Sequence, residues 1–154
     1  MKLFVVAVGH RMPAWVDAGF GEYAARMPRE ARVELKALKP APRGGPVKRA
    51  IEDEGNRILA ALPRGCFKVV LDEDGVLLDT MELAQHFGRW RQTGQDVAFI
   101  VGGADGLAAS VRQAAAFTWS LSPLTLPHGL ARVLLAEQLY RAVSILHNHP
   151  YHRE

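Results

Sequence analysis

The chain has 154 residues, 49% of them hydrophobic and 23% charged, with a net charge of +3 and a single cysteine. That composition suits one domain with a real core, and it excludes a disordered chain, an internal disulfide and a cysteine-based metal site. The basic bias, with a pI of about 9.3, permits a nucleic-acid partner without requiring one.

The opening run Lys2 to Val8 is apolar and of strand length. It stops at Gly9-His10-Arg11, too soon for a signal peptide or a membrane span, so a cytoplasmic location is expected. Pro13 suits a first helical turn, and Val16, Phe20, Tyr23, Ala24 and Met27 then recur at helical spacing. A second strand is expected over Val33 to Leu38. The connection Lys39 to Pro46 is rich in Pro, Gly and basic residues and reads as a mobile loop before a helix carrying Ile51, Gly55, Ile58, Leu59 and Leu62.

Cys66 reads as a buried small hydrophobe ahead of a third strand, Phe67 to Leu71, which should end in an acidic turn, Asp72-Glu73-Asp74-Gly75. Thr80 is the expected N-cap of a helix that carries Met81, Ala84 and Phe87 and stops near Gly94. Val97 to Val101 and Phe117 to Leu121 complete the strand-like runs. Strands alternating with helices predict an α/β fold, a mostly parallel sheet with helices on both faces, in a single domain over residues 1–154.

In such a sheet ligands sit beyond the carboxyl ends of the strands. Three of those ends stand out: the acidic turn, Gly102-Gly-Ala-Asp-Gly106, and the apolar loop Leu121-Ser-Pro-Leu-Thr-Leu-Pro127. The glycines let backbone approach a ligand but do not make the dinucleotide fingerprint, which disfavours an NAD-dependent oxidoreductase. The acidic residues could bind a hard cation or act as a base, but they read first as an exposed acidic turn. The final helix, Gly129 to Leu146, has Leu130, Leu134, Leu135, Leu139, Val143 and Leu146 around most of its surface, with one polar stripe of Glu137, Tyr140, Arg141 and Ser144. Such a helix belongs in a core or at a subunit interface. The tail Leu146-His-Asn-His-Pro-Tyr-His-Arg-Glu154 has the composition of a metal tract, but Pro150 and its terminal position argue against a fixed coordination shell, so no metal is expected. A frayed tail and a surface for stacking on bases are the other readings.

Taken together, Lys2-Leu3 with Val6-Ala-Val-Gly9, Met12-Pro13 with Trp15-Val16, Gly19-Phe20 with Glu22-Tyr23, Ile100-Val-Gly-Gly103, Leu121-Ser122 with Leu124-Thr-Leu-Pro-His128, and Asn148-His-Pro-Tyr-His-Arg-Glu154 resemble the ribosomal RNA large subunit methyltransferase H family of the SPOUT superfamily. The resemblance covers essentially the whole chain. It implies a C-terminal trefoil knot, a homodimer, and methyl transfer from S-adenosylmethionine to N3 of a pseudouridine, position 1915 in helix 69 of 23S rRNA, within the assembled 70S ribosome. No metal and no membrane enter that reaction.

Carried over residue by residue, the resemblance puts the cofactor on Leu71, Gly102, Gly103, Leu121, Ser122, Pro123, Leu124, Thr125 and Leu126. This chain has Ala104-Asp105 where relatives often have Pro-Glu, and Gly129 where a larger residue occurs. The candidates for work on the substrate are His152, Tyr151, His128, Arg132 and Glu137, with Arg141 a second cation for charge developing on the base. Glu137 and Arg141 are also spaced for a helical i, i+4 pair. A catalytically inactive ribosome-binding factor of the same fold is the alternative; it would bind cofactor without transferring methyl.

Overall fold

The computed structural model describes residues 1–153. Five strands form one fully parallel sheet: β1 (Leu3–Val8), β2 (Val33–Leu38), β3 (Phe67–Leu77), β4 (Val97–Val101) and β5 (Phe117–Ser120), in the order β2-β1-β4-β3-β5. The helices are α1 (Ala14–Arg26), α2 (Val47–Ala61), α3 (Thr80–Thr93), α4 (Ala109–Ala114) and α5 (His128–Leu146), and a 3-10 turn spans Arg29–Ala31. β1 and β4 are buried at every position, as central strands covered on both faces must be.

Alternation along those strands builds two cores. Leu3, Val5, Ala7, Val69, Val97 and Phe99 pack against Phe20, Leu83, Phe87, Trp90, Leu135 and Leu139 beneath α1, α3 and α5. Phe4, Val6, Val70, Ala98 and Ile100 pack against Ile58 and Val111 beneath α2 and α4. Within its layer α5 touches both α1 and α3, so the last helix of the chain is the middle one.

The structure corrects several sequence expectations. β3 does not stop at Leu71: it runs through the acidic residues to Leu77, with a register shift between Leu71 and Val76 opposite Trp119. The expected acidic turn is therefore strand, held locally by the Asp74 N–H donating to Asp72 Oδ1 at 3.0 Å. Helix α3 is capped by Asp79, not Thr80. Asp79 Oδ1 accepts from the Glu82 N–H and Glu82 Oε2 accepts from the Asp79 N–H, both at 2.8 Å, a reciprocal box that satisfies two end donors. Pro13 is the residue before α1, not in its first turn. Helix α4 has no counterpart among the expected elements, because the six residues Ala-Ser-Val-Arg-Gln-Ala carry no measurable period. In α5 the apolar ring is incomplete: Leu135, Leu139 and Val143 are buried, Leu134 is exposed, and Ser144, expected on the polar stripe, is buried with its hydroxyl on the Tyr140 carbonyl.

β3 and β5 meet unusually closely at Gly75. A Cβ there would lie 2.8 Å from the backbone of Thr118 and Trp119, and backbone cannot step aside. Gly75→Ala is accordingly expected to lower Tm by about 2–12 °C, through about 1–3 kcal/mol of overpacking, measured by thermal denaturation.

His86 lies against Phe117, ring centroids 4.8 Å apart, and tilts against Trp90. Burial, then the charge of Arg89, holds its imidazole below the ordinary 6.5. The unfolded chain thus takes up this proton more readily than the folded one. Its contribution to stability is complete above pH ~6.5 and is lost as pH falls below that toward the folded value. Tm measured between pH 5 and 8 should fall on acidification, and His86→Phe should flatten that part of the slope.

Candidate functional site

All five strands point the same way, so their carboxyl ends share one edge of the sheet. At that edge β3, β4 and β5 diverge around a cleft of about 350 Å³. Of the residues expected to hold a cofactor, Leu71, Gly102, Gly103, Leu121, Ser122, Leu124 and Leu126 line this cleft, whereas Pro123 and Thr125 lie in the same loop without lining it.

The loop after β5 owes its shape to two hydroxyls. Ser120 Oγ donates to the Ser122 carbonyl at 3.0 Å, and Ser122 Oγ accepts from the Leu124 N–H at 2.9 Å. The N–H groups of Thr125 and Leu126 find no protein acceptor among the described residues. An apolar loop with unspent backbone donors, ending at the N-terminus of a 19-residue helix, fits a flat, nitrogen-rich ring such as adenine. Opposite it, the glycine turn leaves no room for side chains. A Cβ on Gly102 would stand 2.8 Å from Leu107, and one on Gly103 would stand 3.0 Å from Glu54 Oε1.

Two charged features, one in the cleft wall and one behind it, have no local signature in the sequence. Arg112, from the unanticipated α4, forms an ion pair with Asp72, and both line the cleft; the Asp72 side chain is only 8% exposed. Glu54 is 2% exposed behind Gly103, with Oε2 accepting from the Ala41 N–H at 3.0 Å. In each pairing the partner comes from another element, which no local period reports. No group of three His, Cys, Asp or Glu residues among the described residues is placed to hold a metal ion.

The substrate candidates fall in three places. His128 opens α5 and lines the cleft. Arg132, one turn on, is 1% exposed, and its Nη2 donates to the Gly9 carbonyl at 3.0 Å. Burial lowers its pKa, with Asp17 raising it in part, and no carboxylate pairs with it among the described residues. So placed, Arg132 presents no surface to a substrate.

Glu137, Tyr151 and His152 form a third group with Arg141. Arg141 Nε donates to Glu137 Oε1 at 2.7 Å, its guanidinium sits 4.6 Å from the centroid of the Tyr151 ring, and its Nη1 is 3.2 Å from His152 Nδ1. Tyr151 also packs on Tyr140 at 4.6 Å. Burial, then the negative charge of Glu137, raises the Tyr151 pKa and keeps its phenol protonated. The tail is docked, not frayed: Asn148 takes φ 55° and the His149 N–H reaches the Ser144 carbonyl at 2.8 Å. Glu154, which ends the tail motif, lies outside the described residues. Along α5, His128 and Arg141 are thirteen residues apart, about 20 Å at 1.5 Å per residue.

A family model described as "Predicted SPOUT methyltransferase" matches residues 1–152. The ribosomal RNA large subunit methyltransferase H of Janthinobacterium sp. (strain Marseille) is 54% identical over 155 residues, covering 99% of both chains. That of Neisseria gonorrhoeae (strain NCCP11945) is 54% identical over 156 residues, covering 100% of both. Among solved structures, a probable methylase family protein from Haemophilus influenzae Rd KW20 matches with a TM-score of 0.52 at 12% identity, over 99% of this chain and 70% of that one, a likeness of fold alone.

Proposed function

The chain belongs to the SPOUT methyltransferase family, and on that premise we propose that it methylates N3 of a pseudouridine in helix 69 of 23S rRNA within assembled ribosomes. The observation that carries this reading is full-length identity of 54% to proteins named for large-subunit rRNA methylation, together with a cleft lined by the loop residues that the family motif contains. The parallel sheet with helices on both faces suits the C-terminal trefoil knot that the family implies. The whole of residues 1–154 serves as one catalytic domain.

S-adenosylmethionine, when bound, supplies an electrophilic methyl group. The residues fit it: the backbone of Leu121 to Leu126 would hold the adenine, apolar side chains would exclude water, and Gly102 and Gly103 would leave room beside the turn. Transfer to N3 needs loss of the N3 proton and stabilisation of the anion left on the base. Arg141 is the cation for that role, since Arg132 is buried on Gly9. With Arg141 donating to Nδ1, the proton of His152 resides on Nε2, so the ring meets the base as a donor while water takes the N3 proton. Tyr151, held on Tyr140, offers a face for stacking.

The cleft and the tail cluster stand at opposite ends of α5, about 20 Å apart, too far for one methyl group to serve both. A homodimer resolves this when the tail of one protomer covers the cleft of the other. Exposed apolar residues at Trp15 and Leu134, on α1 and α5, suit such an interface. No helix among the described residues is long and apolar enough to cross a membrane.

The deciding experiment is transfer of labelled methyl to ribosomes from cells lacking this protein, with the nucleoside identified by mass spectrometry. Label on N3 of a helix 69 pseudouridine is the expected result. Ribosome binding without label would assign the chain to an inactive binding factor instead.

A further inference from the structure

Between Lys39 and Arg49 the chain has four cations, Lys39, Arg43, Lys48 and Arg49, and no acidic or aromatic residue. Positions 42–49 are all exposed, and the segment they belong to is tied to the fold at several points. Ala41 is buried with its N–H on Glu54, and Arg57 Nη1 donates to the carbonyls of Lys39 at 2.7 Å and Pro40 at 3.1 Å. Arg43 crosses to pair with Asp105 of the glycine turn, so the anchored segment borders the cofactor cleft. Lys48 and Arg49 lie in the first turn of α2, which has no acidic residue, and the positive end of the helix dipole adds to their field. The side chains of Lys39, Lys48 and Arg49 have no ion-pair or hydrogen-bond partner among the described residues. A shallow groove lined by Pro42, Arg43, Gly45, Pro46, Arg49 and Asp53 runs between them.

We propose that this segment is a docking surface for the phosphate backbone of the substrate RNA, delivering the target nucleotide to the neighbouring cleft. The inference rests on the rRNA methyl-transfer reading above and names a contact within it. Uncompensated like charges on a fixed scaffold repel one another, and a polyanion removes that repulsion while releasing its own counterions. The absence of aromatic residues points to phosphate contact, not base recognition, which fits a platform that positions and leaves the choice of nucleotide to the cleft.

The test compares a triple variant, Lys39→Gln with Lys48→Gln and Arg49→Gln, with a charge-matched control at the opposite sheet edge, Arg29→Gln with Arg32→Gln and Arg64→Gln. Ribosome binding is titrated against salt, and KM, kcat and S-adenosylmethionine affinity are measured on the same preparations. The patch variant should raise Kd and KM for ribosomes about tenfold or more and flatten the salt slope by about 2 to 3, with kcat and cofactor affinity unchanged. The control should leave both near wild type. Equal losses in the two variants would make the effect one of net charge and overturn the proposal, as would no loss in the patch variant. Lost affinity with an unchanged salt slope would assign the patch to a ribosomal protein and overturn it too. Wild-type protein that binds with the patch-dependent slope but transfers no methyl would sink the methyl-transfer reading and support the surface.

Discussion

Valine at position 102 is expected to raise the Kd for S-adenosylmethionine about 100-fold or more, roughly 2.8 kcal/mol, with the fold retained. Gly102 directly follows β4, and a Cβ there would stand 2.8 Å from both Cγ and Cδ2 of Leu107 and 3.2 Å from the Gly106 carbonyl. The Leu107 side chain can move, but it lines the cleft, so relief of the clash comes at the expense of the space a cofactor needs. Gly21→Val is the control, because a Cβ on that exposed α1 glycine meets nothing within 4 Å. Equilibrium dialysis with labelled cofactor reads the difference. Near-normal affinity in Gly102→Val would move the cofactor away from this cleft.

The second large effect concerns two dead proteins that repair each other. Gly102→Val should lack a working cleft, and a chain deleted from Tyr151 onward should lack the tail that docks on Arg141 and Tyr140. Each alone is expected to transfer methyl to ribosomes at under about 1% of the wild-type rate, given that positioning of reacting groups is worth several orders of magnitude. In the homodimer proposed above, co-expression and purification through two different tags gives a mixed dimer in which one protomer with an intact cleft faces a partner with an intact tail. One of its two composite sites is then complete. Activity should return to about half that of wild type in the purified mixed dimer, and about a quarter in an unsorted mixture. A mixed dimer as inactive as its parents would show that cleft and tail of the same protomer must cooperate. A tail deletion with normal turnover would remove Tyr151 and His152 from the mechanism.

The strands were readable because central parallel strands are apolar at every position, as β1 and β4 are, and no other element of that length looks alike. The cleft was readable for a related reason: parallel strands fix which edge is functional, and the residues beyond Leu71, Val101 and Ser120 then converge without further information. What stayed hidden depends on partners far away in sequence. Asp72 to Asp74 look like a turn until Trp119 is seen opposite Leu71 and Val76. Arg132 looks like any helical arginine until the Gly9 carbonyl, 123 residues earlier, is found to hold it. The docking of the tail rests on Arg141 with His152 and Tyr140 with Tyr151, pairs that no helical or strand period predicts. Asp79 and Glu82 did spell a capping box, and the hydroxyl of Thr80 instead reaches Gln138 at 2.9 Å.

The central place of α5 in its layer sets the order in which a newly made chain becomes an enzyme. α1 and α3 are complete by residue 93, but the helix that fills the gap between them ends only at Leu146. Until then Phe20, Leu83 and Phe87 lack a cover that only residues 128–146 can supply. Contacts between the first and last helices are also the most remote in sequence, which slows their formation. A chain stalled or truncated before α5 emerges is therefore expected to expose a sticky face and to be drawn to chaperones or aggregates. Nearly all of the cleft lining, Leu71 to Leu126, precedes α5, so the helix completes the layer beneath a cleft whose residues are already made.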